Sequence, residues 1–189
     1  MQGRPPAALP GTFVAVVGAS GAGKDTVMRL ARERLRGDPR IHFVRRAITR
    51  PPEPSEEHES LSAEEFAARL AQGGFALHWQ AHGLHYGLPV AALRRLDRGH
   101  AVIANVSRTV VGDIAARFPR HAIVAIVADP ATRETRIGAR RREGDGPLEM
   151  RLRREVEIPQ GCNLTEIAND GHPQDAAAAF AALVLDTLR

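Results

Sequence analysis

Between Gly18 and Thr26 the chain reads Gly-Ala-Ser-Gly-Ala-Gly-Lys-Asp-Thr. Closely spaced glycines let successive backbone N–H groups turn toward one point with no Cβ in the way, and a helix starting there adds the positive end of its dipole. Such a cradle binds phosphate oxygens. At its end Lys24 supplies a compact, mobile charge for the outer phosphates of a triphosphate. Every other basic residue of the chain is an arginine. The spacing is that of a Walker A element, so Gly18, Ala19, Ser20, Gly21, Ala22, Gly23, Lys24, Asp25 and Thr26 are the candidate ATP-binding residues. Asp25 stands where that element usually carries Ser or Thr, and Thr26 follows directly. These two are the candidate Mg²⁺ ligands, direct or through water.

A loop of this kind works only between a strand and a helix. Residues 12–17 are a short β-branched, apolar run suited to a buried parallel strand, and Val27, Met28, Leu30, Ala31 and Leu35 have helical apolar spacing. Apolar runs recur at 41–44, 101–104 and 122–128 with helical stretches between them, the alternation of a parallel α/β sheet. The expected fold is therefore a three-layer α/β P-loop kinase fold. One domain is expected over 11–189, after a frayed tail at 1–10. Residues 49–59, with Pro51, Pro52 and Pro54 among acids, read as an exposed loop. Ser62-Ala63-Glu64-Glu65 is a capping box opening a short helix whose apolar face carries Phe66 and Leu70. Residues 133–154 are dense in arginine with Gly144, Asp145, Gly146 and Pro147 at their centre, and read as two short helices hinged by a loop. Residues 175–188 read as an alanine-rich packing helix.

Composition narrows the class without choosing the function. The 26 basic against 22 acidic residues give a net charge of +4, a mild excess that suits phosphorylated ligands but selects none. With 43% hydrophobic residues, a mean hydropathy of -0.24 and no apolar run of roughly 18 residues, a membrane span is not expected. The first ten residues lack the apolar centre of a signal peptide, so the expected location is the cytoplasm. Cys162, alone in the chain, allows neither an internal disulfide nor a cysteine zinc site. His78, His82 and His85 do not have the spacing of a metal set on a helix. The arginine-rich segment has no interleaved aromatics for stacking bases, so nucleic acid is not an expected partner. The oligomeric state is not legible.

From residue 11 to residue 189 the order of these features resembles the guanylate kinase superfamily. Ile48-Thr49-Arg50-Pro51 looks like the start of that superfamily's acceptor-binding insert, about 45–88 here, and Phe75, Trp79, His82-Gly83 and Tyr86-Gly87 look like its continuation. The resemblance implies that Arg50 and Tyr86 hold the acceptor's phosphate. It also implies that Arg140 and Arg151, in a lid at about 133–154, clamp ATP and complete a catalytic set with Lys24. Asn169 falls near the edge of the nucleobase site. Departures matter as much. Guanylate kinases read guanine with a Glu before the Trp and an Asp after the third strand, where this chain has His78 and Ser107. Losing those carboxylates removes the hydrogen bonds that select guanine. Arginines appear instead, Arg46 and Arg108, which suit a second phosphate.

Arg45-Arg46-Ala47-Ile48-Thr49-Arg50, Ala81-His82-Gly83-Leu84-His85-Tyr86-Gly87 and Asn105-Val106-Ser107-Arg108, with the Gly-Lys-Asp-Thr of the loop, are similar to one branch of the superfamily. That branch takes a sugar bisphosphate, ribose 1,5-bisphosphate, and with ATP makes 5-phosphoribosyl diphosphate and ADP during phosphonate breakdown. The acceptor residues implied are Arg46, Arg50, His82, Tyr86, Asn105, Ser107 and Arg108. A nucleoside monophosphate kinase with a remodelled pocket and a non-catalytic guanylate kinase-like binding module are the two other readings.

Overall fold

The computed structural model describes residues 10–52, 57–81, 83–139 and 164–189. Its centre is β1 (Phe13–Val17), buried at all five positions. A strand covered on both faces has no polar side to show, which is why it reads as an unbroken apolar run. Two neighbours flank it in parallel, β7 (Ala101–Asn105) and β8 (His121–Val127). β2 (Ile41–Phe43) and β9 (Leu164–Ala168) extend the sheet in the order β2-β7-β1-β8-β9, with every pairing parallel.

Successive side chains of β1 point to opposite faces. Val14 and Val16 meet Val27 and Ala31 of α1 (Lys24–Arg34) and Phe180 and Val184 of a C-terminal helix at Pro173–Asp186. Phe13, Ala15 and Val17 face the other way, toward Val111 and Ile114 of a helix at Val111–Arg117. Leu77, Trp79 and Leu88 join that second cluster. They come from a separate four-stranded sheet of order β4-β3-β6-β5, formed by β3 (Arg46–Ile48), β4 (His58–Ser60), β5 (Phe75–Ala81) and β6 (Leu84–Pro89).

The small sheet has its own apolar anchor. α2 (Ala63–Ala71) starts at the expected capping box: Glu65 N donates to Ser62 Oγ at 3.1 Å, and Ser62 N donates to Glu65 Oε2 at 2.7 Å. This orientation lays Phe66 on Phe75, ring centroids 4.5 Å apart, against buried Ala47. Gly87 lies opposite, and a Cβ there would come within 2.5 Å of the Phe75 ring, so the sheet closes only on glycine.

Several expectations need correction. Residues 58 and 59 do not belong to an exposed loop: they form β4, parallel to β3, and His58 is buried. The helix expected from residue 133 begins at Pro130 and runs to Ala139; in chain order it is α5, after α3 (Val90–Leu93) and α4 (Val111–Arg117), and the C-terminal helix is α6. β9 was absent from the expected strands, and α6 starts and ends two residues early. His82, Arg140, Arg151 and Cys162 lie outside the described residues.

Candidate active site

The loop after β1 is held in place by side chains from other elements. Asn169, just past β9, is buried and donates its amide Nδ2 to the carbonyl of Ala22 at 2.8 Å. Arg133 of α5, also buried, donates Nε to the carbonyl of Ser20 at 3.1 Å. Lys24, at the first turn of α1, folds its ammonium back over the loop, with Nζ 2.9 Å from the Gly18 carbonyl and 3.3 Å from that of Ala19. Gly23 is the N-cap of α1 in a left-handed conformation, φ 83°. A Cβ on it would lie 2.5 Å from Asn169 Nδ2 and 3.6 Å from Arg136 Nη1. Gly23→Ala is therefore expected to strain the loop and push Asn169 away. Its ATP affinity should fall by roughly tenfold or more, a loss of about 1.4 kcal/mol for each factor of ten, read by calorimetric titration.

Asn169 was expected at a nucleobase edge; the structure places it under the loop with its amide nitrogen engaged. Its Oδ1 is buried and without a hydrogen-bond partner among the described residues. Arg136 Nη1 is buried in the same state. Sequence reasoning did not single out Arg133 or Arg136 individually; the visible signal was only the density of arginine in that segment.

On the other side of the loop, Asp25 meets the end of β7. Asn105, 9% exposed, donates Nδ2 to Asp25 Oδ1 at 2.8 Å, and its backbone lies in register with Val16 of β1. Thr26, half-buried, follows in the same turn of α1. Asn105 was grouped with the acceptor residues, but its amide faces the loop acid. Ser107 caps a 3-10 turn at Arg108–Val110, its Oγ accepting from Thr109 N at 3.3 Å, and the half-buried Arg108 sits in that turn.

Of the other acceptor candidates, Arg46 and Tyr86 lie on strands of the small sheet, Arg50 follows β3, and His82 is outside the described residues. Thr49 is clamped to β6: its N donates to the His85 carbonyl at 3.0 Å, and its Oγ1 accepts from His85 N at 2.9 Å. Arg50 follows, in a pocket lined also by Thr49, Ser60, Ser62, Gly83 and His85. His58 lies behind it, with Nε2 3.4 Å from the Arg50 carbonyl and 3.2 Å from that of Pro51. Carbonyls only accept, so Nε2 carries the proton and holds the backbone that carries Arg50. Sequence reasoning missed His58, because a single histidine among acids carries no local sign of being a buried prop. Tyr86 stacks on Trp79 with centroids 5.4 Å apart and planes 4° from parallel, and the Arg46 guanidinium lies 5.7 Å from the Tyr86 ring. The stack presents Arg46 on a rigid aromatic floor. His78, one residue before the buried Trp79, points to the opposite face of β5 and is exposed.

The arrangement brings together a phosphate cradle with one ammonium and a carboxylate, and separately a basic pocket on a small sheet. Groups of these kinds suit phosphate oxygens at both places. Among the described residues no group of three or more His, Cys, Asp or Glu is placed to hold a metal ion, and no helix is long and apolar enough to cross a membrane.

No family model matches the chain. A ribose 1,5-bisphosphate phosphokinase PhnN from Acidiphilium cryptum is 47% identical over 175 residues, covering 93% of both chains. Another of that name, from Methylobacterium radiotolerans, is 47% identical over 174 residues, covering 92% of this chain and 97% of its own. Among solved structures, a guanylate kinase from Anaplasma phagocytophilum superposes over 94% of this chain and 86% of its own with a TM-score of 0.70 at 15% identity, a likeness of fold.

Proposed function

The chain belongs to the ribose 1,5-bisphosphate phosphokinase family, and from that premise we infer its reaction and the division of labour among its residues. It transfers the γ-phosphoryl group of ATP to ribose 1,5-bisphosphate, giving 5-phospho-α-D-ribose 1-diphosphate and ADP. An oxygen of the acceptor's 1-phosphate bonds to the γ phosphorus, and the bond from that phosphorus to the β,γ-bridging oxygen breaks, leaving the electron pair on ADP.

An acceptor phosphate loses its second proton near pH 6, so its oxygen is already anionic at neutral pH and no catalytic base is required. The work left to the protein is to bring two polyanions into line and to spread the charge of the transferred group. The loop amides at 18–23 grip the nucleotide's phosphates, and Lys24 swings from the Gly18 and Ala19 carbonyls toward the β and γ oxygens. Arg136, beside Gly23, adds charge on the nucleotide side. Arg140 and Arg151, the arginines assigned to clamp the triphosphate, lie outside the described residues. Arg46, Arg50 and Tyr86, with His82 and Arg108, hold the acceptor. His58 and Thr49 fix the backbone from which Arg50 reaches.

The donor set suits a magnesium ion: the Asp25 carboxylate and Thr26 hydroxyl are hard oxygen donors at consecutive positions in the first turn of α1, and Asp25 is held by Asn105. When bound, the ion would neutralise negative charge on the outer phosphates of ATP. The reaction is assigned to the cytoplasm, with a sugar bisphosphate and ATP as its small-molecule partners.

The observation that carries the reading is 47% identity along 93% of both chains. The test is a side-by-side assay with ribose 1,5-bisphosphate and GMP as acceptors, following products by mass spectrometry. Formation of 5-phosphoribosyl 1-diphosphate with little GDP is expected. Faster, saturable GDP formation would reassign the chain to the nucleotide kinases whose fold it shares.

A further inference from the structure

We propose that Asp25 and Asn105 are an exchanged pair: the metal-side carboxylate sits in the loop instead of at the strand end, and Asn105 is the positioning residue that aims it. In P-loop enzymes the loop supplies a hydroxyl to Mg²⁺ and a neighbouring strand supplies an aspartate. Here the loop position is Asp25, and the strand beside β1 ends in Asn105. One carboxylate remains at the pair, on the opposite partner.

The contact couples the two positions. Asn105 Nδ2 lies 2.8 Å from Asp25 Oδ1, and a side-chain amide nitrogen only donates. That bond fixes one carboxylate oxygen and leaves the other for the ion or a water bound to it. Asn105 is 9% exposed and is the last residue of a strand whose register to β1 runs Phe13↔Val102 through Val16↔Asn105, so the donor sits on a rigid element. An aspartate at 105 opposite Asp25 would place two carboxylates at hydrogen-bond distance, where they cannot both ionise without strong repulsion. A serine at 25 opposite Asn105 would leave no anion at the pair. Either single change weakens the metal side of the pair, whereas both together restore the common arrangement.

The inference rests on the reading of the loop as a magnesium-nucleotide site, and the experiment separates the two. Asp25→Ser, Asn105→Asp and the double variant are prepared in the full chain, with circular dichroism as the folding control. ADP binding is measured by calorimetry with excess Mg²⁺ and again with EDTA, the ratio being the metal-dependent gain. Mn²⁺ bound in the presence of ADP is counted by electron paramagnetic resonance. Each single variant is expected to lose roughly tenfold of the gain, the scale of one hydrogen bond to a charged group, and the double variant to recover most of it. Losses that simply multiply in the double variant, or singles that keep the full gain, would overturn the pairing while leaving the loop's metal role standing. A wild-type chain with no metal-dependent gain would overturn both. Should Asn105→Asp fail to fold, Asn105→Ala carries the same test: it should lower the gain when Asp25 is present and have no effect in the Asp25→Ser background.

Discussion

Replacing Lys24 by alanine is expected to reduce turnover roughly 10²- to 10³-fold while leaving the chain folded. The magnitude follows from what the ammonium does. Removing one preorganised donor that meets developing charge costs about 3–4 kcal/mol in the transition state, and no other lysine exists to substitute. The fold should be spared, because the described bonds of Nζ go to two carbonyls of the loop itself, at Gly18 and Ala19, and the side chain is only half-buried. Leaving such carbonyls to water costs on the order of 1 kcal/mol, a shift of roughly 2–4 °C in Tm for a domain of this size. Steady-state kinetics and a thermal melt check the two halves separately. Near-normal turnover would remove the loop from the reaction, whereas a collapsed melting curve would mean that Lys24 has a structural role the loop geometry does not account for.

That much rests on parts that are legible in the sequence, and the reasons are physical. β1 is buried on both faces, so it shows as an unbroken apolar run, and the glycines after it are demanded by backbone geometry, as the left-handed φ of 83° at Gly23 illustrates. Capping is equally local: Ser62 and Glu65 satisfy each other three residues apart. What is not legible depends on contacts between distant segments. β9 lies at the sheet edge with only Ile167 buried, so its five residues form no apolar run. β4 is three residues, His58–Ser60, and is a strand only because β3 lies beside it. The Asn169 bond to Ala22 spans 147 residues and the Asn105 bond to Asp25 spans 80. Polar residues at such positions can be flagged as candidates from sequence, but whether they touch ligand or protein is decided by strand register.

Arg50→Ala is expected to raise the KM for the sugar bisphosphate about 100-fold with little change in the affinity for ATP. The asymmetry comes from position. Arg50 lies just past β3 of the small sheet, in the pocket with Thr49, Ser60 and His85, whereas the loop proposed to hold the nucleotide hangs on β1, α1 and α5. A guanidinium gripping phosphate makes charge-assisted, two-pronged bonds, each worth about 1.5–3 kcal/mol, so losing the fork costs roughly 3 kcal/mol, or two factors of ten. Arg50→Lys keeps the charge and loses the fork, and should recover only part of the loss. His58→Ala supplies a control for the mechanism of support. It removes the Nε2 donor to the Arg50 and Pro51 carbonyls and should raise the same KM by a smaller factor, without moving ATP affinity. Kinetics with each substrate varied in turn read all three variants. Equal losses for ATP and acceptor would place Arg50 between the two substrates, and an unchanged acceptor KM would remove it from the acceptor site.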